Sequence, residues 1–287
     1  MRDNSKQKMI FPTCLQGFRL GGGAQPVSNF PSSVAKFIVT EMFIQWILIH
    51  GGFPKDIYII IDSSSGWMGR MGGILGSYTN LRNWYKAITG RELTIIYITT
   101  DPHKKVSYRF KLFVEDWFKV IEPDVDKQYF KFHKAILESE TLAFYKFCRK
   151  IMDQYEVSGG QLSLTSPPYF NREKYGGIGC EGQSHENYKE YELWRDGFLK
   201  GTIRNISKLL LPEGRFYLNI ANLKDGKLIH PLESDSLKFA EEFGLQHLKT
   251  YKMLLSGSGK GSINQVMINE KPKKFEPIFV LEKQSKG

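Results

Sequence analysis

The chain has 287 residues, 41% of them hydrophobic and 24% charged, with a formal net charge of +10. That composition excludes a disordered chain and supplies enough apolar material for one large α/β domain. The excess of 40 Lys and Arg over 30 Asp and Glu suits a polyanionic partner, since each cation near a phosphate releases a condensed counterion, and suits a merely solvated basic surface equally well.

Residues 1–31 are rich in Gly, Pro and Ser, with Gly21-Gly22-Gly23 and two Phe-Pro pairs, and read as an irregular arm. Residues 32–287 read as a single domain. Ser32 or Ser33 is placed to cap a helix from about Val34 to Ile49, which Gly51-Gly52 end. Ile57-Tyr58-Ile59-Ile60-Ile61 is too short for a helix and rich in β-branched residues, the mark of a strand buried on both faces. The same pattern recurs at Thr94–Ile98, more weakly at Phe130–Leu137, at Gln161–Thr165 and at Arg215–Ile220. Helix-like segments near 70–89, 140–155 and 189–210 lie between them, and such alternation predicts a doubly wound, mostly parallel α/β sheet.

The tail differs. Two apolar strands near 247–255 and 276–283 follow each other across Ser256-Gly257-Ser258-Gly259-Lys260-Gly261-Ser262, with no helix between. They predict an antiparallel hairpin at the sheet edge and bring the sheet to seven strands. The segments 103–129 and 170–190 read as polar-aromatic insertions, and long loops in compact domains commonly serve function. Cys14, Cys148 and Cys180 are scattered, so neither a disulfide framework nor a zinc site is indicated, and a reducing setting is expected. The longest apolar run, 43–49, falls short of a membrane span, and Met1–Lys6 leads into no apolar segment. A soluble, cytoplasmic chain is the expectation.

Three strand ends carry the chemistry. The first strand ends in Asp62, followed by Ser63-Ser64-Ser65-Gly66-Trp67-Met68-Gly69-Arg70 and a helix. Small residues in such a turn let a ligand approach the backbone, and the acid suits an ammonium or hydroxyl; a tight turn in any α/β protein looks similar. The second strand ends in Thr99-Thr100-Asp101-Pro102, where an acid commonly grips a ribose diol, although Asp before Pro is also a common exposed turn. The fourth ends in Thr165-Ser166-Pro167-Pro168-Tyr169-Phe170. Two prolines after a buried strand forbid helix and stiffen the exit. Ser166 and the Pro167 carbonyl are then rigid acceptors for the two hydrogens of a planar amine, with an aromatic ring to stack on its face.

Together, Asp62–Gly69, Asp101 and Ser166-Pro167-Pro168-Tyr169 resemble the S-adenosylmethionine-dependent amino-methyltransferases of DNA, over about residues 28–222. That family carries a glycine-rich first motif and an (Asp/Asn/Ser)-Pro-Pro-(Tyr/Phe/Trp) catalytic motif. The resemblance implies a Rossmann-like methyltransferase sheet, S-adenosyl-L-methionine as cofactor, and DNA as partner, with the base flipped from a duplex or presented single-stranded. It implies catalytic roles for Ser166, Pro167, Pro168 and Tyr169. It implies cofactor contacts from Asn29, Phe30 and Pro31 on the methionine side, from Asp62, Ser64, Gly66 and Gly69 in the first turn, and from Asp101 and Pro102 at the ribose. The acid facing the adenine is Glu138 or Glu140, with Glu140 favoured because it is nearer the following helix. A Ser in the first catalytic position is typical of cytosine N4 methylation, and Asp or Asn of adenine N6. Two positions depart from the family pattern: Met68 stands where a second glycine is usual and Ser63 where a proline is common. The alternatives are an adenine-N6 enzyme, an RNA or protein-amide methyltransferase, and a non-catalytic DNA-binding subunit. With only short insertions, target recognition falls to loops or to a partner subunit.

Overall fold

The computed structural model describes residues 30–63, 69–100, 111–121, 123–124, 126–137, 141–170, 184–255 and 263–285. The arm before residue 30, the loop 256–262, and residues 103–110, 122, 125 and 171–183 of the two insertions lie outside the described residues. Helix α1 (Ser32–His50) precedes β1 (Ile57–Asp62), α2 (Gly69–Thr89), β2 (Thr94–Thr100), β3 (Phe130–Ala135), α3 (Thr141–Gln154) and β4 (Gly160–Thr165). A short helix Tyr191–Trp194 and a π-helical turn Arg195–Leu199 lead into α4 (Lys200–Leu209) and β5 (Leu210–Asn219). A small hairpin, β6 (Leu223–Asp225) and β7 (Leu228–His230), then α5 (Leu232–Glu242), β8 (Leu245–Leu254), β9 (Gln265–Ile268) and β10 (Lys271–Lys283) complete the chain.

The strands run in the order β3-β2-β1-β4-β5-β10-β8, with β9 off this path and paired to β10. The first four pairings are parallel, while β10 runs antiparallel to both β5 and β8. A doubly wound sheet with one antiparallel strand inserted next to its last member is a Rossmann-like methyltransferase fold. The predicted C-terminal hairpin is present, with its second strand inside the sheet and β8 at the edge. Every residue of β1 is buried because helices cover both faces. Ile57, Ile59 and Ile61 pack with Cys148 of α3 and Ile203 and Ile206 of α4, whereas Tyr58 and Ile60 pack with Ile38 and Met42 of α1 and Ile74 of α2. Each such side chain contributes roughly 1.5–3 kcal/mol by leaving water.

Helices α1 and α2 cross at unusually close range. A Cβ on Gly73 would lie 2.4 Å from the Ser32 carbonyl oxygen and 2.5 Å from the Ala35 Cβ, so only glycine fits there. At 19 residues and a mean hydropathy of 1.4, α1 is long and apolar enough to cross a membrane, which corrects the expectation drawn from the 43–49 run alone. Its inward stripe of Val34, Ile38, Met42 and Trp46 is core, and Glu41 accepts hydrogen bonds from Tyr217 and Tyr251. The cap differs too: Pro31 is the N-cap residue and no side chain caps the helix. The expected helix to residue 210 ends one residue earlier, and β5 absorbs Leu211-Pro212-Glu213-Gly214 as an irregular start, with Glu213 at φ 64° and a register shift against β4 between Gly160 and Leu162. The β6–β7 hairpin, α5 and β9 had not been expected.

Candidate active site

The strand order reverses between β1 and β4, and open α/β sheets take their ligands in the crevice beyond the carboxyl ends of such strands. There the end of β4 is fastened to the end of β1. The Thr165 hydroxyl donates to Asp62 Oδ1 at 2.9 Å. With that proton committed, the Thr165 oxygen accepts from the Ser63 N–H at 3.1 Å and from the Ser63 hydroxyl at 2.9 Å. Thr100, ending β2, donates to the Ser63 carbonyl at 3.0 Å. Three strand ends are thereby locked into one rim.

Asp62 is only 1% exposed and faces the protein. Its Oδ2 accepts from Arg70 Nε at 2.7 Å and from the Tyr97 hydroxyl at 2.9 Å. Within the protein this acid is bonded by a guanidinium at the start of α2 and by hydroxyls of β2 and β4. Burial first, and then the Asp62 charge, push the Tyr97 phenol far above its ordinary range, so it remains a hydrogen-bond donor. Arg70 is itself 4% exposed, and its guanidinium lies 5.6 Å from the centre of the Phe30 ring. Phe30 is buried and the Pro31 carbonyl accepts two amides of the first turn of α1, those of Val34 and Ala35, at 3.1 Å each. Phe30 and Asp62, far apart in sequence, therefore meet through Arg70.

Beyond Thr165 the chain turns out over the rim. Ser166 is partly exposed and has no hydrogen-bond partner among the described residues; Pro167 is buried and Pro168 partly exposed. The Tyr169 ring is 8% exposed, and its hydroxyl accepts from the Ala221 N–H at 2.9 Å, bracing the diproline corner against the exit of β5. Phe170 is core, edge-on to Tyr191 and His230 with centroids 5.7 and 5.5 Å away. The segment that braces Tyr169 is itself held. Asn222 N–H donates to Glu233 Oε1 and Glu233 N–H to Asn222 Oδ1, both at 2.9 Å. Asn264 Nδ2 adds a third bond, to Glu233 Oε1 at 2.7 Å. Sitting in the first turn of α5, the Glu233 carboxylate also complements the helix dipole.

Phe30, Pro31, Asp62 and the Ser166–Tyr169 corner are thus gathered at one edge of the sheet. Gly69 is the first residue of α2. Asn29, Ser64, Gly66, Asp101, Pro102 and both candidate acids, Glu138 and Glu140, lie outside the described residues. The sequence reading missed Arg70, Tyr97, Ala221 and Glu233. A buried Tyr three residues before the strand tip was a usable signal for Tyr97, since its side chain falls on the same face as that of Asp62 on the neighbouring strand. The chemistry of the described rim suits a polar, partly apolar ligand: a Ser166 acceptor with no partner among the described residues, a stiff diproline and a locked end of β1.

No protein-family model and no curated protein matches the chain. Solved structures match it at low identity. One, a Thermus thermophilus protein provisionally described as a DNA modification methylase and solved with S-adenosyl-L-methionine, is 19% identical over 49% of this chain and 54% of that one, with a TM-score of 0.32. A SAM-dependent methyltransferase from Methanosarcina mazei is 10% identical over 83% of this chain and 98% of that one, at 0.42. Precorrin-6y C5,15-methyltransferase from Geobacter metallireducens is 9% identical over 86% and 87%, at 0.37. The chain spans about half the length of the Thermus protein.

Proposed function

We propose that this chain transfers a methyl group from S-adenosyl-L-methionine to the exocyclic amine of a DNA base, with N4 of cytosine as the preferred target. The supporting observation is the 2.9 Å bond between Thr165 and Asp62, which sets the Ser166-Pro167-Pro168 corner beside the β1–α2 turn on one rim. In this reading both halves of the motif set open onto the same crevice. Asp62, held by Arg70, Tyr97 and Thr165, heads the close-approach turn and is, on the same reading, a cofactor contact with it. In this reading Asn29, Phe30 and Pro31 line the methionine side, Ser64, Gly66 and Gly69 form the close-approach turn, Asp101 and Pro102 hold the ribose, and Glu140 faces the adenine.

The cofactor, when bound, supplies a methyl carbon activated by a positively charged sulfur. The amine is a poor nucleophile because its lone pair is delocalised into the ring. Ser166 Oγ and the Pro167 carbonyl accept its two hydrogens and favour a pyramidal nitrogen with a localised pair. Nitrogen forms the new N–C bond in line with the departing sulfur, and the surplus proton passes to water. A base flipped from duplex DNA, or one presented single-stranded, meets this requirement; the Tyr169 hydroxyl braces the diproline corner against Ala221. The Ser at position 166 favours cytosine over adenine, by resemblance to the N4 enzymes.

Nucleoside mass spectrometry of DNA incubated with the protein and cofactor tests the reading. N4-methylcytosine is expected, and DNA free of any methylated base would sink it. Ser166→Ala should lower turnover on the order of 100-fold with cofactor affinity unchanged; an Asp101→Ala variant should do the reverse, weakening the cofactor first.

A further inference from the structure

Strand β10 is longer than the sheet that contains it. Its residues from Phe275 onward pair with β8, while Lys271–Lys274 have β9 as their one strand partner among the described residues. These four residues carry a two-stranded ribbon roughly 13 Å beyond the pairing with β8, at about 3.3 Å per residue. Its direction is fixed by topology. Strand β10 is antiparallel to β5, with Ile278 opposite Asn219, so its N-terminal end leaves the sheet on the rim where β1, β4 and β5 end. The tip is a two-residue turn with Asn269 at φ 47° and Glu270 at φ 63°, the paired left-handed conformation whose twist matches a hairpin.

Residues opposite one another in a ladder share a face, as do alternate residues of one strand. Lys271 lies opposite Ile268 and Lys273 opposite Val266, so both lysines share the face of Phe275. Lys252, opposite Pro277 on β8, joins them, with its ammonium 5.1 Å from the Phe275 ring centre. Lys271 and Lys273 are exposed. The face thus carries three ammonium groups in a row that ends on an aromatic ring at the rim.

The root of the ribbon is tied to the diproline corner. The Leu255 N–H donates to the Lys274 carbonyl at 2.9 Å and the Phe275 N–H to the Asn264 carbonyl at 3.2 Å. Asn264 bonds Glu233, Glu233 bonds Asn222, and the adjacent Ala221 bonds Tyr169. An object gripped by the ribbon is therefore held in register with Ser166.

We infer that the β9–β10 ribbon is a duplex-DNA grip, with Lys271, Lys273 and Lys252 set against the phosphates flanking a groove; this rests on the DNA reading given above. A two-stranded ribbon suits a major groove about 12 Å wide and about 8.5 Å deep, and the lysine row complements the phosphate line while the chain as a whole is +10. Lysines in this role position the duplex and leave base choice to other groups.

The test measures duplex binding by fluorescence anisotropy across a salt series, comparing the unaltered chain, Lys271→Ala/Lys273→Ala, and the charge-matched Lys146→Ala/Lys150→Ala on exposed turns of α3. Loss of two phosphate contacts should lower the salt slope by about 1.8, a fall in affinity of roughly 60-fold at 0.1 M salt. The α3 pair should bind like the unaltered chain, and S-adenosylmethionine affinity should be the same in all three. Equal slopes for the two double variants would overturn the ribbon assignment while leaving DNA as substrate. An unaltered chain that binds no DNA, or binds a protein partner through the ribbon instead, would remove the DNA reading and the grip together.

Discussion

Thr165→Val replaces a hydroxyl by a methyl of nearly the same volume at the point where β4 is fastened to β1. Three bonds vanish: the charge-assisted one to Asp62 Oδ1, the one from the Ser63 N–H, and the one from the Ser63 hydroxyl, which is half-buried and can turn to water instead. A hydrogen bond to a charged group is worth about 1.5–3 kcal/mol and one between neutral groups about 1 kcal/mol. Asp62 is 1% exposed, so water cannot replace the lost donor. The expected destabilisation is about 3 kcal/mol, read as a lower urea midpoint at unchanged slope. In a melt, at about 2–4 °C per kcal/mol for a large domain, the same loss lowers Tm by roughly 6–12 °C. Thr165→Ser keeps the hydroxyl and removes one methyl, and should cost only about 0.8 kcal/mol. If the Val variant loses less than the Ser variant, the rim is not held by this hydroxyl and the coupling of the two motifs through it is wrong.

Tyr169→Phe leaves the Ala221 N–H without its acceptor and should cost about 1–2 kcal/mol in denaturation; an unaltered midpoint would show that the brace does not matter. Gly73→Ala forces a Cβ to 2.4 Å from a backbone oxygen of α1, and backbone cannot swing aside. A loss of about 1–3 kcal/mol should appear in a urea titration, and a neutral result would mean the helices are further apart than described. Burial raises the Glu276 carboxyl above its ordinary 4.5, against a smaller opposing effect from the Asn219 amide. The native state then holds that proton more tightly than the unfolded chain, so the contribution is present below pH 4.5 and is lost as pH rises through the native value. Glu276→Gln should flatten this part of the stability curve and be the more stable form at neutral pH; parallel curves for the two proteins would contradict it.

The strands were legible because burial on both faces demands an apolar run, and β1 is apolar from Ile57 to Ile61 whatever lies around it. The Ser166-Pro167-Pro168 corner was legible for a covalent reason, since proline restricts its own backbone and that of the residue before it. The partners of Asp62 were not. Arg70 comes from the next element, Tyr97 and Thr165 from strands on either side, and only the strand order makes them neighbours. The β6–β7 hairpin did carry a signal, Asp225-Gly226 between short apolar runs, with Gly226 at φ 57°. The apolar spacing of Leu232, Phe239 and Ala240 likewise marks the buried side of α5. Strand β9 could not be read in this way: its exposed and half-buried residues alternate without a core face, and it exists only because β10 overshoots the sheet.

That overshoot has an arithmetic consequence for how the chain can vary. Side chains along a strand alternate with a period of two, so adding two residues to each arm of the ribbon would lengthen its reach by roughly 7 Å with every ammonium still facing the same way. Adding one to each arm would swing the tip's lysines to the opposite side, leaving those nearer the sheet untouched. Homologous proteins that share this extension should therefore differ in its length by even steps per arm, and an odd step should coincide with a bulge or with basic residues moved by one place.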